Sequence, residues 1–210
     1  MVINFNITIY QLINMKGKAV LHYFKVVLGL DSPETQTTQE ERNAITQWAN
    51  GALTAVEIGV FEGVNTKLIA QCIQAEGMLY GIDPFFTGKL GISYHKLIAQ
   101  RSLKKGAIAK KVKLIQKLSF DAVNDVPNTI DFIFIDGDHS YEGLKKDWEL
   151  YSSRLPLGGI IALHDTTVPG FDPGRKALGS VAFYEEVISK NDHFQLLQTV
   201  DSLNILKRIK

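Results

Sequence analysis

Short apolar segments alternate with longer amphipathic ones through the middle of the chain, and this alternation restricts the fold more than any other feature. Apolar runs of this length are typical of strands that are buried on both faces, whereas the intervening segments have helical periodicity. Strands separated by helices require right-handed crossovers and form a parallel sheet covered on both sides. The predicted strands are 55–60, 78–83, 112–118, 130–136 and 159–165, and the predicted helices between them are 67–75, 94–103 and 141–154.

The C-terminal part departs from this alternation. A predicted helix at 177–190 is followed by two apolar strands, 194–200 and 203–209, which are joined only by Asp201 and Ser202. So short a connection demands an antiparallel pair. The sequence therefore predicts an α/β fold with a doubly wound parallel sheet that is closed by a C-terminal antiparallel hairpin.

The N-terminal segment reads as an extension with a polar linker, residues 1–36, before a domain at 37–210. Thr37 or Thr38, with a glutamate three residues later, resembles a capping box that opens a helix running through Trp48. The pattern of residues 1–30 does not predict a particular structure.

Composition excludes several classes of function. A net charge of +1 gives no clustered basic surface for nucleic acid. The N-terminus lacks a signal peptide pattern and an apolar stretch long enough for a membrane, and Cys72 is the single cysteine. We therefore expect a cytoplasmic protein without membrane or nucleic-acid partners, and its association into a homo-oligomer is left open.

The end of the first predicted strand has glycines at Gly59 and Gly63, where a strand-to-helix turn lets the backbone approach a ligand. A dinucleotide fingerprint would need glycine at the positions of Phe61 and Val64 as well. A pyrophosphate would therefore meet side chains, which argues against an NAD-dependent oxidoreductase.

Three further polar residues lie near this edge: Glu57 inside the first strand, Asp83 at the end of the second and Ser119 after the third. Glu57 suits a cationic ligand, or else bonds to amides of its own loop. Asp83 lies about where an acid binds ribose hydroxyls in nucleotide-binding folds, or else is a turn residue before proline. Ser119 either contacts an adenine or caps the short helix 120–123.

The densest chemical cluster follows the fourth and fifth strands. Asp136 and Asp165 end strands that should be neighbours, so their carboxylates could share a divalent cation such as Mg²⁺. His164 would suit Mn²⁺, iron or zinc better. His139 is a candidate general base, with a structural role at the start of a helix as the alternative.

Four motifs in order resemble the class I S-adenosylmethionine-dependent methyltransferases, with a Rossmann-like fold, and most closely the macrocin-type sugar O-methyltransferase branch. The similarity extends over roughly residues 53–190, and its segments are VEIGVFEGVNT (56–66), GIDP (81–84) and IDFIFIDGDHSYEGLKKDWELYSSRLPLGGIIALHDT (130–166).

This resemblance implies S-adenosylmethionine as the cofactor and a role for each candidate. Glu57, Gly59 and Gly63 would surround its methionine part, Asp83 its ribose and Ser119 its adenine, while Asp136 would contact the cofactor, hold metal and take part in catalysis. Metal-dependent relatives carry an acidic pair after the fifth strand, so Asp165 matches them and His164 departs from them. The position of His139 serves as general base in some sugar methyltransferases.

The expected activity is methyl transfer to a small-molecule acceptor, in particular a hydroxyl oxygen, with Mg²⁺ or Mn²⁺ as a further candidate cofactor. Two alternatives stay open: a cofactor-binding module without catalysis, and a hydroxylase-like metal enzyme on the same scaffold. The loop 167–176 reads as a lid or acceptor wall, in which Arg175 or Lys176 meets an anionic acceptor or is solvated.

Overall fold

A computed structural model describes residues 9–88, 91–105 and 108–210 of the chain. Within these ranges the strands are β1 (Thr54–Ile58), β2 (Met78–Ile82), β3 (Val112–Ile115), β4 (Phe132–Ile135), β5 (Ile160–Leu163), β6 (Phe194–Val200) and β7 (Leu203–Arg208). The helices are α1 (Ile9–Leu28), α2 (Gln39–Ala49), α3 (Val64–Cys72), α4 (Tyr94–Lys105), α5 (Tyr141–Tyr151) and α6 (Gly179–Glu186).

The strands form one sheet in the order β3-β2-β1-β4-β5-β7-β6. Strands β1 to β5 are parallel, and β7 pairs antiparallel with both β5 and β6. The predicted doubly wound sheet with its closing hairpin is therefore confirmed. Because β1 and β4 are neighbours whose crossovers leave in opposite directions, the switch point where such sheets bind ligands lies between their carboxyl ends.

Strand β4 shows why its sequence is apolar without interruption. Successive side chains of a strand point to opposite faces. Ile133 and Ile135 belong to the core on one side of the sheet, and Phe132 and Phe134 to the core on the other. All four are buried, as a central strand covered by helices on both faces requires.

Helix α2 begins with the capping box predicted at Thr38. The Thr38 side chain accepts a hydrogen bond from the Glu41 amide at 3.1 Å, and the Glu41 carboxylate accepts one from the Thr38 amide at 2.8 Å. Two amides that would otherwise lack partners are thereby satisfied. The side chain of Glu41 is fully buried, so the capping residue also reaches into the interior.

Helix α1, in the predicted N-terminal extension, is packed against the rest of the described chain. Helix α1 lies against α4, and Arg101 Nη2 donates a hydrogen bond to the Val27 carbonyl at 2.9 Å. The residues after α1 reach the ligand edge of the sheet, where Glu34, Thr35 and Gln36 line a cavity. None of the described helices is long and apolar enough to cross a membrane.

Candidate active site

A cavity of about 730 Å³ opens at the carboxyl ends of β1, β2 and β4. Five of the predicted site residues line it, namely Gly59, Asp83, Ser119, Asp136 and His139. The other four are not among its lining residues, namely Glu57, Gly63, His164 and Asp165. A volume of this size is within the range of small-molecule sites, roughly 300–1,000 Å³.

The two predicted glycines shape the turn after β1. Gly59 has a φ of 92°, and a Cβ there would collide with the backbone carbonyl of Asp136. Gly63, with a φ of 80°, precedes α3, and a Cβ there would lie 3.1 Å from Ala99. Glycine at position 59 therefore lets the end of β1 lie directly against the end of β4, and glycine at position 63 lets the start of α3 lie close to α4.

The Asp83 carboxylate holds the loop after β1 in place. Its Oδ2 accepts hydrogen bonds from the amides of Val60 at 3.0 Å and Phe61 at 2.9 Å, and its Oδ1 accepts one from Phe85 at 2.6 Å. Asp83 thus stabilises the turn, as the alternative in the sequence analysis predicted, and it also lines the cavity. Each carboxylate oxygen has two lone pairs, so Oδ2 is fully used, whereas Oδ1 can still accept one hydrogen bond from a ligand diol.

Glu57 is fully buried beneath this loop, and neither carboxyl oxygen has a hydrogen-bond partner among the described residues. Burial raises its pKa well above the usual range, and the negative charges of Asp136 and Asp83 raise it further. The alternative of a carboxylate bonded to loop amides is not what the structure shows. The Glu57 side chain is not among the residues that line the cavity.

Ser119 begins a 3₁₀ turn, Ser119–Asp121, and its side chain does not cap that turn. The helix predicted at 120–123 is wrong, because the segment forms two successive 3₁₀ turns. The Ser119 carbonyl accepts a hydrogen bond from Tyr151 Oη at 2.6 Å, which fixes the turn against α5.

Asp147 is a cavity residue that the sequence analysis missed. It lies on α5, is buried, and its Oδ1 has no hydrogen-bond partner in the described part of the chain. Burial raises its pKa to about 6 against the opposing hydrogen bond from Ser119, with a further contribution from Asp138. Helical periodicity could have identified it, since Asp147 shares the buried face of α5 with Leu144 and Trp148.

His164 lies between two carboxylates. Its Nδ1 is 2.8 Å from Asp136 Oδ1, its Nε2 is 3.2 Å from Glu41 Oε2, and the ring is fully buried. Burial disfavours the charged ring, but the two carboxylates outweigh it and raise the pKa of His164 to about 9. The ring is therefore an imidazolium at neutral pH.

Asp165 is paired with Arg175, from the loop after β5. Arg175 also reaches Asp172 through Nε at 3.2 Å and Ser202 through Nη1 at 2.9 Å. Ser202 in turn donates to Glu41 Oε1 from its hydroxyl at 2.7 Å and its amide at 2.9 Å. The groups that hold Asp165 are thus connected to those that hold His164.

His139 faces the cavity between the same carboxylates. Its Nδ1 lies 3.4 Å from Asp165 Oδ2 and its Nε2 lies 3.9 Å from Asp136 Oδ1, with 30% of the side chain exposed. Burial lowers its pKa, and the charges of His164 and Arg175 also act in that direction. A neutral ring that is open to a ligand can accept a proton.

The side chains present do not fit the divalent cation that the sequence resemblance implies. A metal-binding histidine needs a free lone pair, whereas both nitrogens of His164 face carboxylates. The Asp165 carboxylate is occupied by the guanidinium of Arg175. No step of the chemistry is therefore assigned to a metal at this site.

A second cluster, which the sequence analysis left without a role, surrounds the buried Glu62. Its Oε2 accepts from the Glu34 amide at 2.6 Å and lies 3.0 Å from His22 Nε2, while its Oε1 lies 3.1 Å from His95 Nδ1. In the described part of the chain, His22, Glu34 and Glu62 place one ligand atom each within 4.8 Å of one another, close enough to share a cation. These contacts join α1 and the following segment to the loop after β1.

Comparison with known families and curated proteins finds two matches. Residues 56–166, slightly more than half of the chain, match the model of a family described as a methyltransferase domain. An uncharacterized protein of Acanthamoeba polyphaga mimivirus is 32% identical over 118 residues, which are 54% of this chain and 51% of that protein. The chain thus spans about half the length of this curated relative.

Several solved structures share the fold. A candidate caffeoyl-CoA O-methyltransferase from Staphylococcus aureus superposes with a TM-score of 0.68 at 20% identity, covering 95% of this chain and 98% of that one. The O-methyltransferase TomG from Streptomyces achromogenes, solved with SAM, gives 0.60 at 17% identity over 92% and 90% of the two chains. The Bacillus cereus O-methyltransferase with SAH gives 0.59 at 20% identity over 92% and 91%. At these identities the similarity establishes the fold alone.

Proposed function

The chain belongs to the methyltransferase-domain family, as its sequence resemblance predicted, and we propose that it transfers a methyl group from S-adenosylmethionine to a hydroxyl oxygen of a small molecule. One observation supports this proposal most strongly. A neutral histidine, His139, faces the cavity at the switch point of the sheet, with Asp136 and Asp165 beside its ring nitrogens.

The cavity suits an adenosyl cofactor in size and polarity. Asp83 can accept a hydrogen bond from the ribose diol through Oδ1, and Ser119 and Asp147 lie further along the same wall for the adenine. TomG and the Bacillus cereus enzyme, which share the fold, were solved with SAM and SAH, respectively. Bound S-adenosylmethionine supplies a sulfonium-activated methyl group, so the protein has to orient the acceptor and remove its proton.

His139 removes that proton. As the acceptor hydroxyl attacks, an O–C bond forms to the methyl group, the S–C bond breaks, and the proton passes to the ring of His139. The products are a methyl ether, S-adenosylhomocysteine and a protonated His139. Asp165 at 3.4 Å and Asp136 at 3.9 Å stabilise the imidazolium that forms.

A small acceptor is favoured by the walls of the cavity. Glu34, Thr35 and Gln36 from the N-terminal segment close one side, which leaves limited room beside a cofactor. The net charge of +1 also gives no general attraction for nucleic acid. The pairing of Asp165 with Arg175 favours deprotonation by His139 over activation by Mg²⁺ or Mn²⁺.

The proposal is tested by cofactor binding and then by turnover. Calorimetry should show binding of S-adenosylmethionine and S-adenosylhomocysteine but not of NAD, and labelled methyl transfer to a panel of small hydroxyl compounds should identify an acceptor. His139→Ala should then lower kcat about a hundredfold or more, in the usual range for losing a general base, with cofactor affinity nearly unchanged.

His193→Ala is the matched control, because His193 is an exposed histidine far along the chain in the segment before β6. It should behave as the wild-type protein. If neither adenosyl compound binds, the proposed function is wrong. If the compounds bind and His139→Ala keeps full activity, the cofactor assignment stands and the assignment of the base is wrong.

A further inference from the structure

Three carboxylates that are largely buried converge next to the cavity, namely Glu41, Asp136 and Asp165, with side-chain exposures of 0%, 15% and 8%. Carboxylates this close to one another repel unless cations separate them. In a metal-dependent enzyme a divalent ion would supply that positive charge. Here two side chains lie among the three carboxylates, His164 and Arg175.

We infer that His164 and Arg175 together take the place of the divalent cation, so that this site works without a metal. His164 bridges Asp136 and Glu41 through its two ring nitrogens, at 2.8 and 3.2 Å. Arg175 neutralises the remaining carboxylate, Asp165. The inference rests on the proposed methyl transfer, since it concerns how the site would carry out that reaction. Its test, however, measures metal binding alone.

The arrangement is held from several directions. Ser202 accepts from Arg175 at 2.9 Å and donates to Glu41 at 2.7 Å, so the two cationic residues are connected through one serine and one glutamate. Asp172 holds the Arg175 Nε from the other side at 3.2 Å. Because Glu41 also caps α2, the position of His164 is tied to the start of that helix.

A divalent ion would have to displace both cationic side chains. Entry of a metal at Asp165 means breaking its pair with Arg175, and ligation by His164 means giving up one of its two carboxylates and a proton. The oxygens that remain free on Asp136 give too few ligands for Mg²⁺ or Mn²⁺. Arg175 is therefore a positioning residue that occupies the site of a cation.

In the test, each protein is titrated with Mn²⁺ alone, and the electron paramagnetic resonance signal of free Mn²⁺ measures how much of the ion remains unbound. Every sample carries Glu34→Gln, because His22, Glu34 and Glu62 form the other cluster that could share a cation. The protein that carries only Glu34→Gln, called the parent protein, should show no saturable binding at millimolar Mn²⁺. Arg175→Ala should bind Mn²⁺ at least tenfold more tightly, since Asp165 and Asp136 are then available.

Two variants separate charge from structure. Arg175→Lys restores a cation and should abolish the added Mn²⁺ binding. Lys176→Ala removes an exposed positive charge from the same turn and should behave as the parent protein. Adding Asp165→Asn to Arg175→Ala should remove the binding again, and melting curves of all samples establish that they are folded.

Three results would each overturn the inference. The first is Mn²⁺ binding by the parent protein that Asp136→Asn abolishes. The second is equal Mn²⁺ binding with and without Arg175, and the third is no Mn²⁺ binding in either case. An S-adenosylhomocysteine titration of the wild-type chain, which keeps Glu34 in the cavity wall, tests the proposed function separately. If the wild-type chain does not bind S-adenosylhomocysteine while the Mn²⁺ titrations give the expected result, the methyltransferase proposal is refuted and the inferred charge arrangement is still supported.

Discussion

Replacing Asp147 with asparagine should make the protein more stable at neutral pH. The pKa of Asp147 is raised from 3.8 to about 6, chiefly by burial. Between these values the folded protein keeps a proton that the unfolded chain has released, so stability falls as the pH rises through this window. The full difference is 2.2 pH units, and at about 1.36 kcal/mol per unit it amounts to about 3 kcal/mol above pH 6.

Asparagine carries no charge in either state and therefore removes this loss. Asp147→Asn should exceed the wild-type free energy of unfolding by about 1.6 kcal/mol at pH 5 and by about 2.9 kcal/mol at pH 7, if the amide packs as the carboxyl does. Urea denaturation at both pH values measures the difference. Glu149→Gln, an exposed acid on the same helix, is the control and should change stability little at either pH.

The pH dependence of the stability gain distinguishes titration of Asp147 from a change in packing. A gain that is equal at pH 5 and pH 7 would mean that packing, and not the titration of Asp147, is responsible. An asparagine variant that is less stable at pH 7 would show that the carboxylate has partners, such as Ser119, that outweigh its burial. Either result would refute the reasoning from the raised pKa.

Two further predictions concern the loop after β1. Asp83→Ala should weaken S-adenosylhomocysteine binding at least tenfold by calorimetry, since it removes the acceptor for the ribose and the partner of the Val60 and Phe61 amides. Unchanged affinity would mean that the ribose lies elsewhere. Gly59→Ala should lower the free energy of unfolding by several kcal/mol in urea denaturation, because the new Cβ collides with backbone. The control Gly51→Ala, with a φ of 80° and open space around it, should lower it by about 1–2 kcal/mol from the backbone angle alone. Equal losses would show that the structure relaxes freely around the collision at Gly59.

The fold could be predicted because its information is local. The uninterrupted apolar run of β4, the two-residue connection before β7 and the capping box at Thr38 each constrain a short stretch of chain, and each is present in the structure. The strands were predicted too long at their carboxyl ends. Polar residues such as Asp136 and Asp165 leave the ladder there and turn toward the ligand edge.

The candidate site could be predicted only in part. Strand ends identified Asp136, His139 and His164, since parallel strands place such ends together. What these side chains contact was not available from spacing. Glu41 reaches His164 across 123 positions of the chain, and its sequence signal, a capping glutamate, pointed to a helix start and not to the interior.

The two cationic residues affect the chemistry as well as the packing. Burial lowers the pKa of His139, Asp136 raises it, and the charges of His164 and Arg175 lower it again. Without those charges, the carboxylates beside His139 would favour its protonated form, which cannot accept a proton. Burial and the two cations that separate the buried carboxylates therefore act together to lower the pKa of His139. A base flanked by Asp136 and Asp165 can be unprotonated before the reaction and stabilised once protonated, because His164 and Arg175 neutralise part of that negative charge beforehand.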